Sequence, residues 1–421
     1  MSAIATPVSS RYGFALGRGF VGSVLICVAA YIDGNRVLFY LGVALVVWGW
    51  VGLREANRRQ LLIAIAVWAV PLVVCPPVLS QDLYIYLAQG DIAHAGLDPY
   101  TVGPSGLDSP LTAKVSTVWL NTPSPYGPLF ILLMKSVVAV TGEHLVVAAA
   151  VTKVLMAVPL VLLCATLPAL EKRLGGQNAL WLGAANPIVL VHLVGGAHND
   201  LVMISLLAAG TLLVLERRHT AGMVVVAFAA AIKVTAAIAL PFLVWIWAAR
   251  VGFGKAASVG AALVVAVFTA CTFAAGVDLG WLKALGGNSL LTHWLSLPTG
   301  VGQLFGIIPA ARVVGWALLG VTIIGLWWWS REGGPKAVAG AAWSLLATVL
   351  LSAVTMPWYF TWPLTLAAGF RFRPGVVAGV SVWLVLVNYP LGDTGLYNWW
   401  WVLLTAFAAV GVGYWVSRER T

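Results

Sequence analysis

The sequence predicts an all-α, polytopic membrane protein, and three observations carry that prediction. Hydrophobic residues make up 61 % of the 421, charged residues only 9 %, and uncharged apolar runs recur along the whole length. A soluble globular chain has about 25 % charged residues, and a water-facing surface cannot be built from so few. The mean hydropathy of +0.95 agrees. The formal charge of +10, from 24 basic and 14 acidic residues, is then a topology signal before it is a binding footprint, and no nucleic-acid partner is expected.

Apolar segments fall at about 14–32, 36–53, 61–79, 145–168, 179–195, 199–216, 221–250, 256–277, 311–330, 336–354, 357–370, 374–390 and 398–416. The first follows Arg11 and Arg18 without a small-residue cleavage site, so it is expected to be an uncleaved span. The 221–250 segment is too long for one crossing, at ~45 Å as a straight helix. It contains Pro241 and is expected to fold as two short spans. The apolar piece 127–141 is short, carries Lys135, and is expected to lie along the outer face.

With these two assignments and a cytoplasmic N-terminus, most basic residues fall on inner loops, among them Arg54, Arg58, Arg59, Lys172, Arg173, Arg217, Arg218, Arg371, Arg373, Arg418 and Arg420. Arg36, Lys114 and Lys283 fall outside. The expectation is a single integral membrane domain over 1–421 with about 14 spans (between 12 and 14) and both termini inside. Two outer loops are long, 80–126 and 279–310, and loops of that length in a compact protein are commonly functional. Most of the acids also fall outside, so any chemistry is expected at the outer face. Cys27, Cys75, Cys164 and Cys271 each sit in an apolar run, which fits core packing rather than a disulfide framework.

In the first outer loop, Ser80 is placed to cap a helix with Asp82 in its first turn, where the dipole favours a carboxylate. Asp82, Tyr86 and Gln89 then share one face, opposite Leu83 and Leu87. Gly96 and Asp98-Pro99 end this segment, which reads as an amphipathic helix on the membrane surface. Further on, Ser124-Pro125-Tyr126-Gly127-Pro128 opens the 127–141 helix. Pro128 suits its first turn and Gly127 permits close backbone approach, but a turn alone does not account for Tyr126.

Residues 195–200, Gly195-Gly196-Ala197-His198-Asn199-Asp200, join two spans at the outer face. Asn199 or Asp200 suits a helix N-cap, which leaves three consecutive polar groups unexplained. His192, His198 and Asp200 match no strong ligand spacing, so neither a metal nor a cofactor is expected. Lys233 lies near the outer end of its half-span, and Lys153 lies ~12 Å down its helix; ionisable groups at membrane depth are functional candidates. Arg312, at a helix start, is also explained by snorkelling. Trp358-Tyr359, after Met356-Pro357, fall at the outer rim.

The combination Gln81-Asp82-Leu83-Tyr84-Ile85-Tyr86, Gly96-Leu97-Asp98-Pro99-Tyr100, Ser124-Pro125-Tyr126-Gly127-Pro128-Leu129, Asn186-Pro187 and Gly195-Gly196-Ala197-His198-Asn199-Asp200 resembles one family closely. It is similar to the actinobacterial polyprenol-phosphate-mannose-dependent α-(1→6)-mannosyltransferases, which have the GT-C fold. The resemblance runs from about residue 60 to 250 and continues in Ile232-Lys233 and Met356-Pro357-Trp358-Tyr359. It implies a GT-C core over 61–250, two additional spans at 14–53, C-terminal spans over 256–421, and Asp82 as the catalytic aspartate. The chain lacks the longer tails of some relatives, which bears on acceptor choice.

The implied reaction moves mannose from polyprenol-phosphate mannose to a lipid-anchored mannan acceptor of lipomannan or lipoarabinomannan type, at the outer face of the plasma membrane. Going from a β-linked donor to an α-linked product inverts the anomeric carbon once, so one base suffices where a hydrolase uses two carboxylates. Asp82 is the expected base. Lys233, with Arg312 or His198 as alternatives, is expected to stabilise the phosphate. Asn199, Asp200 and Tyr84 are expected to hold sugar hydroxyls, and Tyr86, Gln89, Tyr126, Trp358 and Tyr359 complete the candidate substrate contacts. Two other readings stand beside this one: a polyprenol-phosphate arabinose donor, or a transporter or flippase of lipid-linked sugar. The second expects related halves, and no internal repeat is visible.

Overall fold

The computed structural model describes residues 8–284 and 295–418. Residues 285–294 of the second outer loop, the Lys283 side chain and Arg420 lie outside the described residues. The described chain is helical throughout, without a named strand. Seven of its helices are long and apolar enough to cross a membrane: Ser10–Tyr31, Leu145–Leu174, Val234–Val251, Phe253–Ala275, Ile308–Trp329, Gly334–Leu351 and Trp399–Arg418. Shorter apolar helices, including Arg36–Gly52, Asp200–Leu215, His219–Ile232 and Pro374–Leu386, fall where the hydropathy places further spans. It is an all-α polytopic membrane protein, and its four cysteines are free.

Small residues let these helices approach closely, as packing in lipid requires. A Cβ on Gly210 would come within 2.8 Å of the Gly222 carbonyl, and one on Gly222 within 2.6 Å of the Gly210 carbonyl. The first two helices are tied to the rest through Trp50 and Trp181. Their rings stack at 4.5 Å, and each indole N–H donates to the other residue's carbonyl.

The 221–250 segment divides at Lys233, ahead of Pro241. His219–Ile232 ends where Lys233 takes an extended conformation (φ −145°, ψ 116°), and a 3-10 turn at Val234–Ala239 leads into Leu240–Val251. Pro241 sits in the first turn of that last helix, where its missing N–H costs nothing.

The first outer loop opens with the helix Asp82–His94, as the Asp82 and Gly96 signals predict, but its N-cap is Gln81 rather than Ser80 and carries no side-chain cap bond. It is more enclosed than an amphipathic surface helix: every residue from Leu83 to Ala93 is buried. Loop residues cover its polar face, with the Ser124 hydroxyl donating to Gln89 Oε1 at 3.0 Å. The helix Pro128–Thr141 packs on another side, so close that a Cβ on Gly90 would meet the Met134 carbonyl at 2.6 Å. Lys135 on that second helix donates to the carbonyl of Ala275, the last residue of Phe253–Ala275, where the helix dipole favours a cation.

Candidate active site

Two chain junctions meet to form the site. One is the stretch 75–82 between the Arg58–Val74 helix and Asp82–His94. The Val78 N–H donates to the Gly195 carbonyl at 3.2 Å, and the Leu79 N–H to the Pro390 carbonyl at 2.7 Å. Ser80 Oγ accepts from the Asp82 N–H at 3.1 Å, fixing the start of the helix. The Asp82 side chain keeps 20 % of its surface exposed.

The other junction is Gly195–Asp200. It follows a π-helical segment, Ile188–Gly195, of a kind that often marks functional sites. Gly196 is packed so tightly that a Cβ would lie 2.4 Å from the His192 carbonyl and 2.9 Å from that of Val78. Ala197 turns the chain with φ +56°. His198 is thereby buried, with Nδ1 3.4 Å from Asp82 Oδ2. Its ring stacks on Trp358 at 3.9 Å and 23°. Nδ1 faces the carboxylate, yet neither ring nitrogen of His198 has a hydrogen-bond partner among the described residues, and a separation this long is ordinary before a substrate tightens the site. His192 is turned away, with Nε2 3.1 Å from the Leu384 carbonyl.

Asn199 occupies the N-cap position of Asp200–Leu215 but makes no side-chain cap bond. Both its amide oxygen and its amide nitrogen are buried without a partner, so capping does not account for it. A buried amide left unmade costs about 1–3 kcal/mol, which suits a group waiting for a ligand. Asp200 is fully enclosed, and its oxygens are taken. Lys233 Nζ donates to Oδ1 at 2.9 Å and to Oδ2 at 3.1 Å, and Trp362 Nε1 donates to Oδ1 at 2.6 Å. The Lys233 ammonium also lies 4.5 Å from the Tyr359 ring and 5.1 Å from that of Trp362, cation–π contacts on a group bonded to Asp200.

Tyr86, Tyr126 and Phe130 form an edge-to-face cluster with centroids 4.8–5.2 Å apart. The Tyr86 hydroxyl meets the Asn199 backbone and the Tyr126 hydroxyl. Burial first, then the Tyr126 phenol and the Asp82 and Asp200 carboxylates, pushes Tyr86 well above its ordinary range; burial first, then Asp82, Tyr359 and Asp200, does the same to Tyr126, so both phenols remain protonated. Gln89 sits behind them on Ser124 with its amide nitrogen unpartnered. Tyr84 is buried on another face, with the Lys114 ammonium 5.6 Å above its ring. Arg312 Nε is engaged with Thr299 Oγ1 at 3.0 Å, and that hydroxyl donates to the Ala353 carbonyl ahead of Trp358.

The structure therefore gathers Asp82, Tyr86, Tyr126, His198, Asn199, Asp200, Lys233, Trp358 and Tyr359 into one cluster where the two junctions meet, with Gln89 in support. Burial, the largest influence on Asp82, works to raise its carboxyl. The contact to His198, the Ser80 hydroxyl and the Lys233 ammonium outweigh it and hold the group below its ordinary value of 3.8. A partly open, ionised carboxylate beside a cation and paired phenol donors can take a proton from a hydroxyl and receive a polar ligand. One participant escapes a reading of the sequence: Trp362, which orients Asp200, is signalled only by its helical spacing from Trp358 and Tyr359. Lys153, a candidate from its depth in the membrane, is the second donor to the Gly195 carbonyl beside the Val78 N–H.

Comparison with known proteins adds a lineage. A family model described as alpha-(1->6)-mannopyranosyltransferase, N-terminal domain, matches residues 33–249, and one described as MptB C-terminal domain matches 286–418. Alpha-(1->6)-mannopyranosyltransferase A of Mycobacterium tuberculosis is 36 % identical over 419 residues, covering 91 % of this chain and 81 % of its own. The A enzyme of Corynebacterium glutamicum is 31 % identical over 379 residues, covering 81 % and 77 %. The B enzyme of the same organism is 27 % identical over 408 residues, covering 82 % and 68 %. No solved structure matches the chain.

Proposed function

The chain belongs to the α-(1→6)-mannopyranosyltransferase family, and on that premise we propose that it is a membrane mannosyltransferase using polyprenol-phosphate mannose as donor. The acceptor is a lipid-linked mannan whose α-1,6 backbone it extends. The reaction runs at the outer face of the plasma membrane, with both chain termini cytoplasmic. The sorting of basic residues to one side and of Asp82, Asp200 and most other acids to the other supports that orientation.

In the proposed step an acceptor hydroxyl oxygen attacks the anomeric carbon of mannose from the face opposite the phosphate. Asp82 takes the hydroxyl proton as the new bond forms. The carbon–oxygen bond to phosphate breaks with its electron pair remaining on the polyprenyl phosphate, and the configuration inverts. Lys233, oriented by Asp200 and Trp362, has an N–H left to stabilise that developing charge. The Asn199 amide is the candidate holder of sugar hydroxyls, since neither of its ends has a partner. Tyr86 and Tyr126, kept protonated, stand in the same cluster.

One observation carries this reading: the partly open Asp82 carboxylate stands 3.4 Å from His198, which is itself locked under Trp358. A purely structural carboxylate at a helix start does not need a buried, stacked imidazole as its partner. The test is purified Asp82→Asn with a polyprenol-phosphate mannose donor. A loss of about 10²–10⁴-fold in turnover is expected for removal of a general base, and near-normal turnover would end the assignment.

A further inference from the structure

We propose that Lys153 is a positioning residue whose buried ammonium, bonded to the Gly195 carbonyl, sets the separation between Asp82 and His198. The inference rests on the reading of Asp82 as the base. Lys153 is 3 % exposed, and its Nζ donates to the Gly195 carbonyl at 2.7 Å and approaches Cys75 Sγ at 3.7 Å. Snorkelling does not account for it, because the ammonium points at a carbonyl inside the protein. No carboxylate lies within ion-pair distance of it among the described residues. An ammonium held at membrane depth with no carboxylate beside it is expensive, and an anchor made only for packing would use an apolar side chain.

What Lys153 holds is the meeting point of the two chain junctions that carry Asp82 and His198. The same Gly195 carbonyl accepts from the Val78 N–H at 3.2 Å. From Val78 the chain runs through Leu79 (φ +63°) and Ser80 to Asp82, with Ser80 bonded to the Asp82 N–H. From Gly195 it runs through Gly196 and Ala197 (φ +56°) to His198. Gly196 is wedged between the His192 and Val78 carbonyls, so the two paths cannot slide past each other without moving Gly195. His198 stands three positions after Gly195 and Asp82 four positions after Val78, and one carbonyl joins the two paths. Cys75, at the entry to the first path, is bonded to the Leu72 carbonyl and contacts the same ammonium.

The experiment compares Lys153→Met and Lys153→Arg with the unaltered full-length protein in one detergent. It reads melting temperature, kcat and KM per folded molecule, and the pH dependence of kcat/KM. Methionine keeps the length and apolar stem but has no donor. Lys153→Met is expected to lower kcat about tenfold, as a small misplacement of a catalytic pair does, with KM for the donor little changed. The acid limb of its profile is expected to move to higher pH, because Asp82 loses part of its support from His198. Lys153→Arg, which keeps a donor and a cation, is expected to recover part of kcat. A lower melting temperature with unchanged kcat and an unmoved acid limb would overturn the proposal, since a structural prop changes only the first. Should Lys153→Met fail to fold, Lys153→Gln carries the same readouts, its shorter amide falling short of the carbonyl. Asp82→Asn is run alongside. If it is inactive while Lys153→Met is normal, only the positioning role fails; if it is active, the base assignment itself fails.

Discussion

Lys233 and Asp200 meet through both carboxylate oxygens, at 2.9 and 3.1 Å, with Asp200 wholly enclosed and Lys233 at the point where its helix breaks into extended backbone. The pair fastens the start of Asp200–Leu215 to the end of His219–Ile232 and fixes where the ammonium points.

Removing one partner of a buried pair leaves the other charge uncompensated, at a cost of about 3–5 kcal/mol. Lys233→Met is therefore expected to lower the melting temperature strongly. The double variant Lys233→Met with Asp200→Asn is expected to recover much of it while donor turnover stays impaired. Thermal unfolding and donor kinetics on the three proteins separate the structural role of the pair from the phosphate role of the lysine. Full recovery of turnover in the double variant would remove Lys233 from the reaction.

His198 governs the protonation of Asp82. With it in place the carboxyl lies below 3.8, so activity limited by this base is retained from neutral pH down into the carboxylate range and lost as pH falls through the lowered value. In His198→Ala, burial is left opposed only by Ser80 and Lys233, and the pKa of Asp82 rises. The acid limb of kcat/KM is expected to shift upward, and a pH–rate profile of the variant measures it; an unmoved limb would separate His198 from the base.

Trp358 holds His198 by a 3.9 Å stack. Aromatic pairs of this kind contribute about 0.5–1.5 kcal/mol beyond their burial, and 1.36 kcal/mol is tenfold in rate. Trp358→Ala is expected to lower kcat by up to about tenfold and Trp358→Phe by less. Equal kinetics in the two variants would mean that the stack does not orient the histidine.

Gly127 shows why the second outer helix docks where it does. Its N–H donates to the Ile232 carbonyl at 3.1 Å, and a Cβ there would lie 2.2 Å from the Ala231 carbonyl. Both contacts are to backbone, which cannot swing aside. Gly127→Ala is expected to destabilise the protein by about 1–3 kcal/mol, as overpacking does, and to disturb the adjacent Lys233. A melting temperature equal to that of the parent would show that the helix docks without this approach.

Much of this protein is written in local pattern. Apolar runs and the distribution of Arg and Lys specify a polytopic helical membrane protein. Ser80, Gly96 and Pro128 mark helix ends that the structure keeps close to where they are expected. Asp82 and the Gly195–Asp200 run stand out because charged and polar groups beside a membrane span need a reason. The break between His219–Ile232 and Leu240–Val251 follows from the length of the segment, with Lys233 near the end of its half-span; the extended backbone at Lys233 that makes the break is seen only in the structure.

Tertiary structure alone decided the pairings. Asp200 reads as a cap or a sugar ligand until Lys233 and Trp362 occupy its oxygens from 33 and 162 residues away. His198 has no partner in sequence until Trp358 covers its ring, and Lys153 has no role until Gly195 comes within 2.7 Å. The polar face of Asp82–His94 looks bound for water until the loop residues around Ser124 close over it. The physical reason is common to all four. Periodicity, capping and charge sorting depend on neighbours a few positions apart and on the bilayer, so the sequence displays them. Which buried charge meets which partner depends on how distant helices pack, and that is settled only when close glycine contacts and chain breaks bring two junctions together at one carbonyl.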